Sequence, residues 1–108
     1  MSFRNDLLVV CGFVAGEAAR FGVIGNRAAM LVIAAGEVAG QLIESGPVRA
    51  GGVASVRVWA RDGALHCHFE GPRGWRAPKS PEPRLRDHVR VTANGPTVTL
   101  TLPPQTRA

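Results

Sequence analysis

The chain has 108 residues, of which 45% are apolar, and a mean hydropathy of +0.06. This length and composition fit one globular domain with a modest core and exclude two independent cores. A formal net charge of +5, carried almost entirely by arginine, permits an acidic protein or a nucleic acid as partner but requires neither.

The composition also bears on the compartment in which the protein works. The apolar run at residues 30–35 is too short to span a bilayer, and residues 1–6 carry both charge signs without a signal-peptide pattern. We therefore expect a cytoplasmic protein that does not bind a membrane. Cys11 and Cys67 have no disulfide-like spacing, which predicts two buried, reduced thiols.

Helical periodicity dominates the first half of the chain. Apolar residues recur at helical spacing over residues 5–21, with Asn5 or Ser2 as the candidate cap. The sequence "GVIGN" then breaks the pattern, and a second helix is predicted over about residues 27–45 with Asn26 as its cap. The "SGP" that follows ends this helix, and "VRAGG" after it is predicted to be a loop.

The second half of the chain alternates with the period of a β-strand. Four amphipathic strands are predicted, and Asp62-Gly63 and the "NGP" at residues 94–96 are their hairpin turns. Such strands form a mainly antiparallel sheet with one apolar face and one wet face. Two helices on that sheet make a two-layer α+β sandwich, and residues 1–108 are predicted to be a single domain.

A loop at residues 71–86 separates the two predicted hairpins. Its sequence, "GPRGWRAPKSPEPRLR", contains four prolines and five basic residues, a composition that excludes a helix or a central strand. Long loops of this kind in compact domains are usually functional or disordered.

The second helix carries a polar stripe next to its apolar one. Leu31, Ala35, Val38 and Leu42 form the predicted core side of this helix. Glu37, Gln41 and Glu44 recur at spacings of four and three, so their side chains point to a common region. Two interpretations are open, a solvated polar edge or one wall of a nucleotide pocket.

The order of the predicted elements and several short sequence similarities favour the second interpretation. The stretch "GEVAGQLIESG" resembles the helix of the anti-sigma-factor serine kinases, a branch of the GHKL ATPase superfamily, in which a catalytic Glu precedes a magnesium-binding Asn by four positions. "VASVRVWARDGALHCHFEG" and "RDHVRVTANGPTVTLTLP" are similar to that family's hairpins. The resemblance spans roughly residues 5–103 and implies a histidine kinase-like ATPase fold with Glu37 at the catalytic position.

The departures from that pattern imply that nucleotide binding is lost. Gln41 replaces the metal-binding Asn, and "FEGPRG", with Glu70 and Gly71, stands where an adenine-binding Asp-x-Gly is expected. The glycine-rich lid has no counterpart, and residues 71–86 take its place. The implied cofactor residues Glu37, Gln41, Glu70 and Gly71 are therefore predicted to be inactive, with no cofactor and no metal; the alternative is an active kinase that uses ATP and magnesium.

A second group of candidate functional residues lies on the polar, solvent-facing side of the predicted sheet. Its members are aromatic or basic: Arg57, Trp59, Arg61, His66, His68 and Arg90. The two histidines at spacing two permit a metal site, although a solvated face or a contact surface is the more common reading of such a pair. An exposed Trp among arginines is typical of protein interfaces, but it also suits single-stranded nucleic acid, and the loop with its own Trp75 could simply cover it.

Together these patterns predict a non-catalytic, regulatory protein-binding domain, a pseudokinase derived from the anti-sigma-factor kinase fold. The expected partner is a sigma factor or an anti-sigma-factor antagonist. The alternatives are an ATP-dependent serine kinase acting as an anti-sigma factor, and a small basic nucleic-acid-binding module. A homodimer is also predicted, through apolar surface near Met30, Glu37 and Gln41 that a shortened lid would leave uncovered.

Overall fold

A computed structural model describes residues 1–77 and 88–104. The predicted α+β class is confirmed. The helices are α1 (Leu7–Arg20), α2 (Gly25–Glu44) and α3 (Gly46–Arg49), and the strands are β1 (Ser2–Phe3), β2 (Ala54–Arg61), β3 (Ala64–Glu70), β4 (Arg90–Asn94) and β5 (Thr97–Leu102).

The strands form one antiparallel sheet in the order β1-β2-β3-β5-β4. Helix α1 contacts β2 and α2, and α2 contacts β3 and β5. The two long helices therefore lie side by side on the same face of the sheet, as the two-layer prediction requires. The sheet has five described strands rather than the four predicted, because β1 pairs with the start of β2.

The core lies between the sheet and this helix pair. Every second residue of β3 and β5 is buried there, and the predicted core stripe of α2 is buried as well. The ring of Phe69 is fully buried and meets Phe3 edge-on at 6.1 Å, which ties the short β1 strand to the centre of the sheet. The Arg27 guanidinium donates a 2.6 Å hydrogen bond to the Pro103 carbonyl, joining the first turn of α2 to the end of β5.

The hairpin between β2 and β3 is confirmed at Asp62-Gly63. Both residues have positive φ, 53° for Asp62 and 80° for Gly63. A two-residue turn with this geometry matches the right-handed twist of the flanking strands, and Asp-Gly is among the sequences that tolerate it best. The turn fixes the register in which Trp59 lies opposite His66.

Three local predictions were wrong. Asp6, not Asn5 or Ser2, caps α1, because its carboxylate accepts a 3.1 Å hydrogen bond from the Val9 N–H. Helix α2 begins at Gly25, so Asn26 lies inside its first turn and does not cap it. The first two residues of the predicted "VRAGG" loop, Val48 and Arg49, belong instead to the short helix α3, which contains Pro47 and is capped by the Ser45 hydroxyl.

None of the helices in the described part of the chain combines the length and the apolar character that a bilayer crossing requires.

Burial of Cys67 gives a testable difference between the two thiols. Burial raises the pKa of the Cys67 thiol to about 12, since the thiolate would lose its hydration, whereas Cys11 is half-buried. We expect a disulfide reagent to label Cys11 and to spare Cys67 in the folded chain at mildly alkaline pH, with both thiols labelled after unfolding. The neutral Cys67 thiol contributes stability below pH 9 that is lost as the pH rises towards 12.

A Cys11→Ser variant is the control for this labelling and should leave no fast-reacting thiol. Rapid labelling of Cys67 in that folded variant would contradict its burial.

Candidate functional site

The candidate site is the face of the sheet that the helices do not cover, called the open face below. Strand register assembles it in rows across β2, β3, β5 and β4. One row reads Trp59, His66, Thr101 and Arg90, and the next reads Arg57, His68, Thr99 and Thr92. The structure therefore places the predicted partner-binding residues of three strands side by side.

Trp59 is the centre of this cluster. Its indole stacks on the His66 ring at 5.3 Å between centroids and 21° between planes, and it lies 6.2 Å from the His68 ring at a tilted angle. The Arg57 guanidinium lies 5.6 Å from the centroid of the indole, on its face. These contacts leave Trp59 half-buried, so a rigid aromatic surface is presented to solvent with part of its area already covered.

Threonines of β5 hold the two imidazoles. Nδ1 of His66 lies 3.1 Å from the Thr101 hydroxyl, and Nδ1 of His68 lies 2.8 Å from the Thr99 hydroxyl. A hydroxyl can donate or accept, so either imidazole tautomer keeps its hydrogen bond. The ring orientations, and with them the stacking on Trp59, are set by the neighbouring strand.

The charge of the open face is mainly positive. Arg57, Arg61 and Arg90 are all exposed. Arg61 lies 4.0 Å from Asp62, but both side chains are almost fully solvated, so this pair contributes little to stability. The open face therefore retains a net positive charge, which an acidic partner surface complements better than a basic one.

A metal centre finds no support among the described residues. Within residues 1–77 and 88–104 there is no group of three or more His, Cys, Asp and Glu side chains arranged to hold a metal ion. His66 and His68 instead make hydrogen bonds to threonine and aromatic contacts to Trp59.

The four residues assigned to a degenerate nucleotide site are not brought together. Glu37 and Gln41 lie on the exposed side of α2. Glu70 alternates with the buried Phe69, so it belongs to the open face, on the other side of the sheet from α2. Gly71 lies beneath Trp75 on the helix side, where a Cβ atom would come within 2.5 Å of the indole and 2.9 Å of Leu42.

Trp75 fills the space between α2 and the end of β3. Only 6% of this residue is exposed, and it packs into the core with Leu42 and Gly71. It therefore does not pack on Trp59, which was one explanation considered for the exposed indole. Of the loop predicted at residues 71–86, residues 71–77 are described and contain no helix or strand, whereas residues 78–86 lie outside the described part.

A depression of about 350 Å³ lies where the segment before α1 meets the ends of α2 and α3. Its lining mixes charges of both signs with apolar side chains: Arg4, Asn5, Ile43, Glu44, Val48 and Arg49. Since the arginines and the glutamate there are exposed, the cleft offers no desolvated group with which to fix a ligand.

Sequence reasoning missed Thr99 and Thr101 as members of the site. Their alternation along β5 was visible, but it becomes informative only when β5 is known to lie next to β3. With that neighbour known, each threonine falls directly opposite one histidine of the "HCH" segment.

No protein-family model and no curated protein matches this chain.

The burial of Trp75 predicts a large loss of stability when its side chain is removed. Trp75→Ala should lower the free energy of unfolding by about 3–5 kcal/mol, because it empties the space between Leu42 and Gly71. Urea denaturation measures the loss, and Trp75→Phe, which keeps part of the ring volume, should cost clearly less. A loss below about 1 kcal/mol for the alanine variant would show that the indole does not fill the core.

Proposed function

We propose that this domain is a non-catalytic regulatory module that binds another protein through its open face. The partner is a cytoplasmic regulator of the sigma-factor or anti-sigma-factor-antagonist type, and the domain derives from the anti-sigma-factor kinase fold. The observation that carries the proposal is Trp59, stacked on His66 and flanked by Arg57 on a solvent-facing sheet.

The composition of the open face supports a protein partner. Trp and Arg are the residues most enriched among those that dominate the binding energy of protein interfaces. Here one Trp lies among three exposed arginines, and polar threonines surround them, which is the arrangement of an aromatic anchor with a polar rim. The stack on His66 leaves part of the indole exposed, and that part is available to a partner.

The rigidity of the cluster supports binding with little reorganisation. The imidazoles are tied to Thr99 and Thr101, and Trp59 rests on an imidazole. Side chains that are already held lose less rotamer entropy when a partner covers them, so more of the contact energy contributes to affinity.

The placement of residues on the helix side of the sheet supports the proposal that the domain is non-catalytic. Trp75 occupies the space between Leu42 and Gly71, next to the position that the family resemblance assigns to the adenine-binding motif. Glu37 and Gln41 are solvated on α2, and Glu70 is on the other face of the sheet. A kinase site needs its catalytic and metal-binding groups converged in one water-excluding pocket, and these residues do not converge.

Single-stranded nucleic acid is the rival that the same face favours, since bases stack on aromatic side chains and phosphates bind arginine. Titration of labelled oligonucleotides at two salt concentrations distinguishes a nucleic-acid partner from a protein partner. Phosphate contacts would make the affinity for an oligonucleotide fall steeply with salt. Tight, salt-dependent binding that requires Trp59 would assign the open face to nucleic acid instead.

Removing the indole of Trp59 tests the protein-binding proposal. Trp59→Ala should weaken binding to the cognate sigma factor or antagonist by about 2 kcal/mol or more, the usual scale of an interface hot spot, with little change in melting temperature. Calorimetry against purified candidate regulators of these two classes gives the dissociation constants.

Asn94→Ala is the matched control for this variant, since Asn94 ends β4 at the opposite corner of the open face. It should leave the affinity unchanged. If Trp59→Ala lowers the melting temperature while every partner's affinity stays intact, Trp59 serves packing and the proposal is wrong.

Nucleotide binding is tested separately. A calorimetric titration with Mg-ATP should give no saturable binding in the micromolar range, because within the described residues Glu37 and Gln41 are solvated on α2 and Glu70 lies on the other face of the sheet. The Glu37→Ala variant should likewise show no saturable binding of Mg-ATP. Its stability should be nearly unchanged, since Glu37 is exposed. A micromolar dissociation constant for Mg-ATP would contradict this prediction and favour the serine kinase.

A further inference from the structure

Strand β1 covers only the beginning of the outer edge of β2. It pairs with residues 54 and 55, and the Met1 nitrogen and carbonyl exchange hydrogen bonds of 2.9 Å and 2.8 Å with Val56. Strand β2 continues to Arg61, and within residues 1–77 and 88–104 no other strand pairs with this outer edge. Residues 57–61, called the β2 edge below, therefore have β3 as their one neighbouring strand in the described part of the chain.

The alternation of hydrogen bonds decides which backbone groups point outwards at the β2 edge. Val56 exchanges both of its bonds with Met1, so its N–H and C=O point away from β3. In an antiparallel ladder every second residue has this orientation, so the N–H and C=O groups of Val58 and Ala60 point outwards too. The two-residue turn after β2 gives the same phase, because the residues that flank such a turn bond each other. The outward groups of Val58 and Ala60 have no backbone partner among the described residues.

We propose that an extended segment of an acidic partner adds to the sheet as an antiparallel strand along the β2 edge. A row of unpaired N–H and C=O groups is a template for another strand, and peptide-binding domains use sheet edges in this way. The inference rests on the proposed protein-binding function and names the mode of contact and the chemistry of the partner. The added strand continues the line of β1, which already occupies the beginning of the same edge.

The side chains along the β2 edge select an acidic strand. Arg57, Trp59 and Arg61 alternate on the open face, and both arginines are exposed. Side chains of paired strands lie directly opposite each other, and opposite charges in that position stabilise the pair. A carboxylate opposite each arginine therefore complements this edge. On the helix side, the half-buried Val58 and the exposed Ala60 favour β-branched apolar residues opposite them.

The same charges disfavour a second copy of the chain as the occupant. If the β2 edge paired with itself across a two-fold axis at Trp59, Arg57 of each copy would lie opposite Arg61 of the other. Like charges in directly opposite positions destabilise a strand pair. Charged side chains on an edge also protect it against unspecific pairing, so the β2 edge accepts a strand that brings its own acidic groups.

A synthetic peptide with the complementary pattern, acetyl-Glu-Val-Thr-Val-Glu-amide, tests the proposal by nuclear magnetic resonance. Without peptide, the Val58 and Ala60 amide protons should exchange quickly with solvent, whereas the Trp59 amide, which faces β3, should exchange slowly. The peptide should shift the signals of the Val58 and Ala60 amides and slow their exchange. A peptide with lysine in place of both glutamates should do neither, since it places like charges opposite the arginines.

A proline substitution tests the contribution of the backbone. Ala60→Pro removes an N–H that points outwards, so the ladder with β3 keeps its hydrogen bonds, and proline is tolerated on edge strands in this orientation. It should weaken peptide binding at least about fivefold, because a hydrogen bond is lost and the ring obstructs the approaching strand. Ala60→Val, which keeps the N–H, is the matched control and should leave the affinity unchanged. Circular dichroism melting checks that both variants remain folded.

The outcomes separate this inference from the proposed function. If a sigma factor or antagonist requires Trp59 for binding but leaves the Val58 and Ala60 amides unprotected, the open face is the contact and the edge proposal is wrong. If the peptide protects both amides while no regulator of these classes binds, the edge proposal holds and the proposed partner class is wrong. Protection of both amides in the chain alone, or an affinity that Ala60→Pro leaves intact, overturns the edge proposal, because the edge then has another occupant or does not pair.

Discussion

Helices α1 and α2 cover one face of the five-stranded sheet, and the burial of that face decides what every other side chain of the strands can do. Each residue of β3 and β5 that points towards the helices is buried among apolar neighbours, and each residue between them lies half-buried or exposed on the open face. A slip of one residue would bring histidine into the core from β3 and threonine from β5. The Asp62-Gly63 turn and the pairing of β3 with β5 prevent that slip.

The one-sided covering also explains how an aromatic cluster persists on a wet surface. Trp59 is partly covered by the His66 ring and the Arg57 side chain rather than by the core. The histidines depend in turn on hydroxyls of β5. The open face is therefore an ordered layer of polar and aromatic contacts, and its order depends on strand register rather than on a second layer of helices.

The sequence by itself determined the elements whose signal is local and periodic. The period-two alternation placed Trp59, His66 and His68 on one face, and helical spacing identified the buried stripe of α2. Asp62-Gly63 identified the first hairpin, because the positive φ of that turn is a property of two adjacent residues. Contiguous residues suffice for such predictions.

Only the tertiary structure decided the features that depend on distant or very short segments. Strand β1 has two residues and helix α3 has four, too few to show a period, and β1 exists because β2 provides its partner. Thr99 and Thr101 joined the site because β5 lies beside β3, about thirty residues away in the chain. Trp75, which the sequence suggested as part of a loop that could cover Trp59, became part of the core because Gly71 and Leu42 leave room for an indole there, and no local pattern records that space.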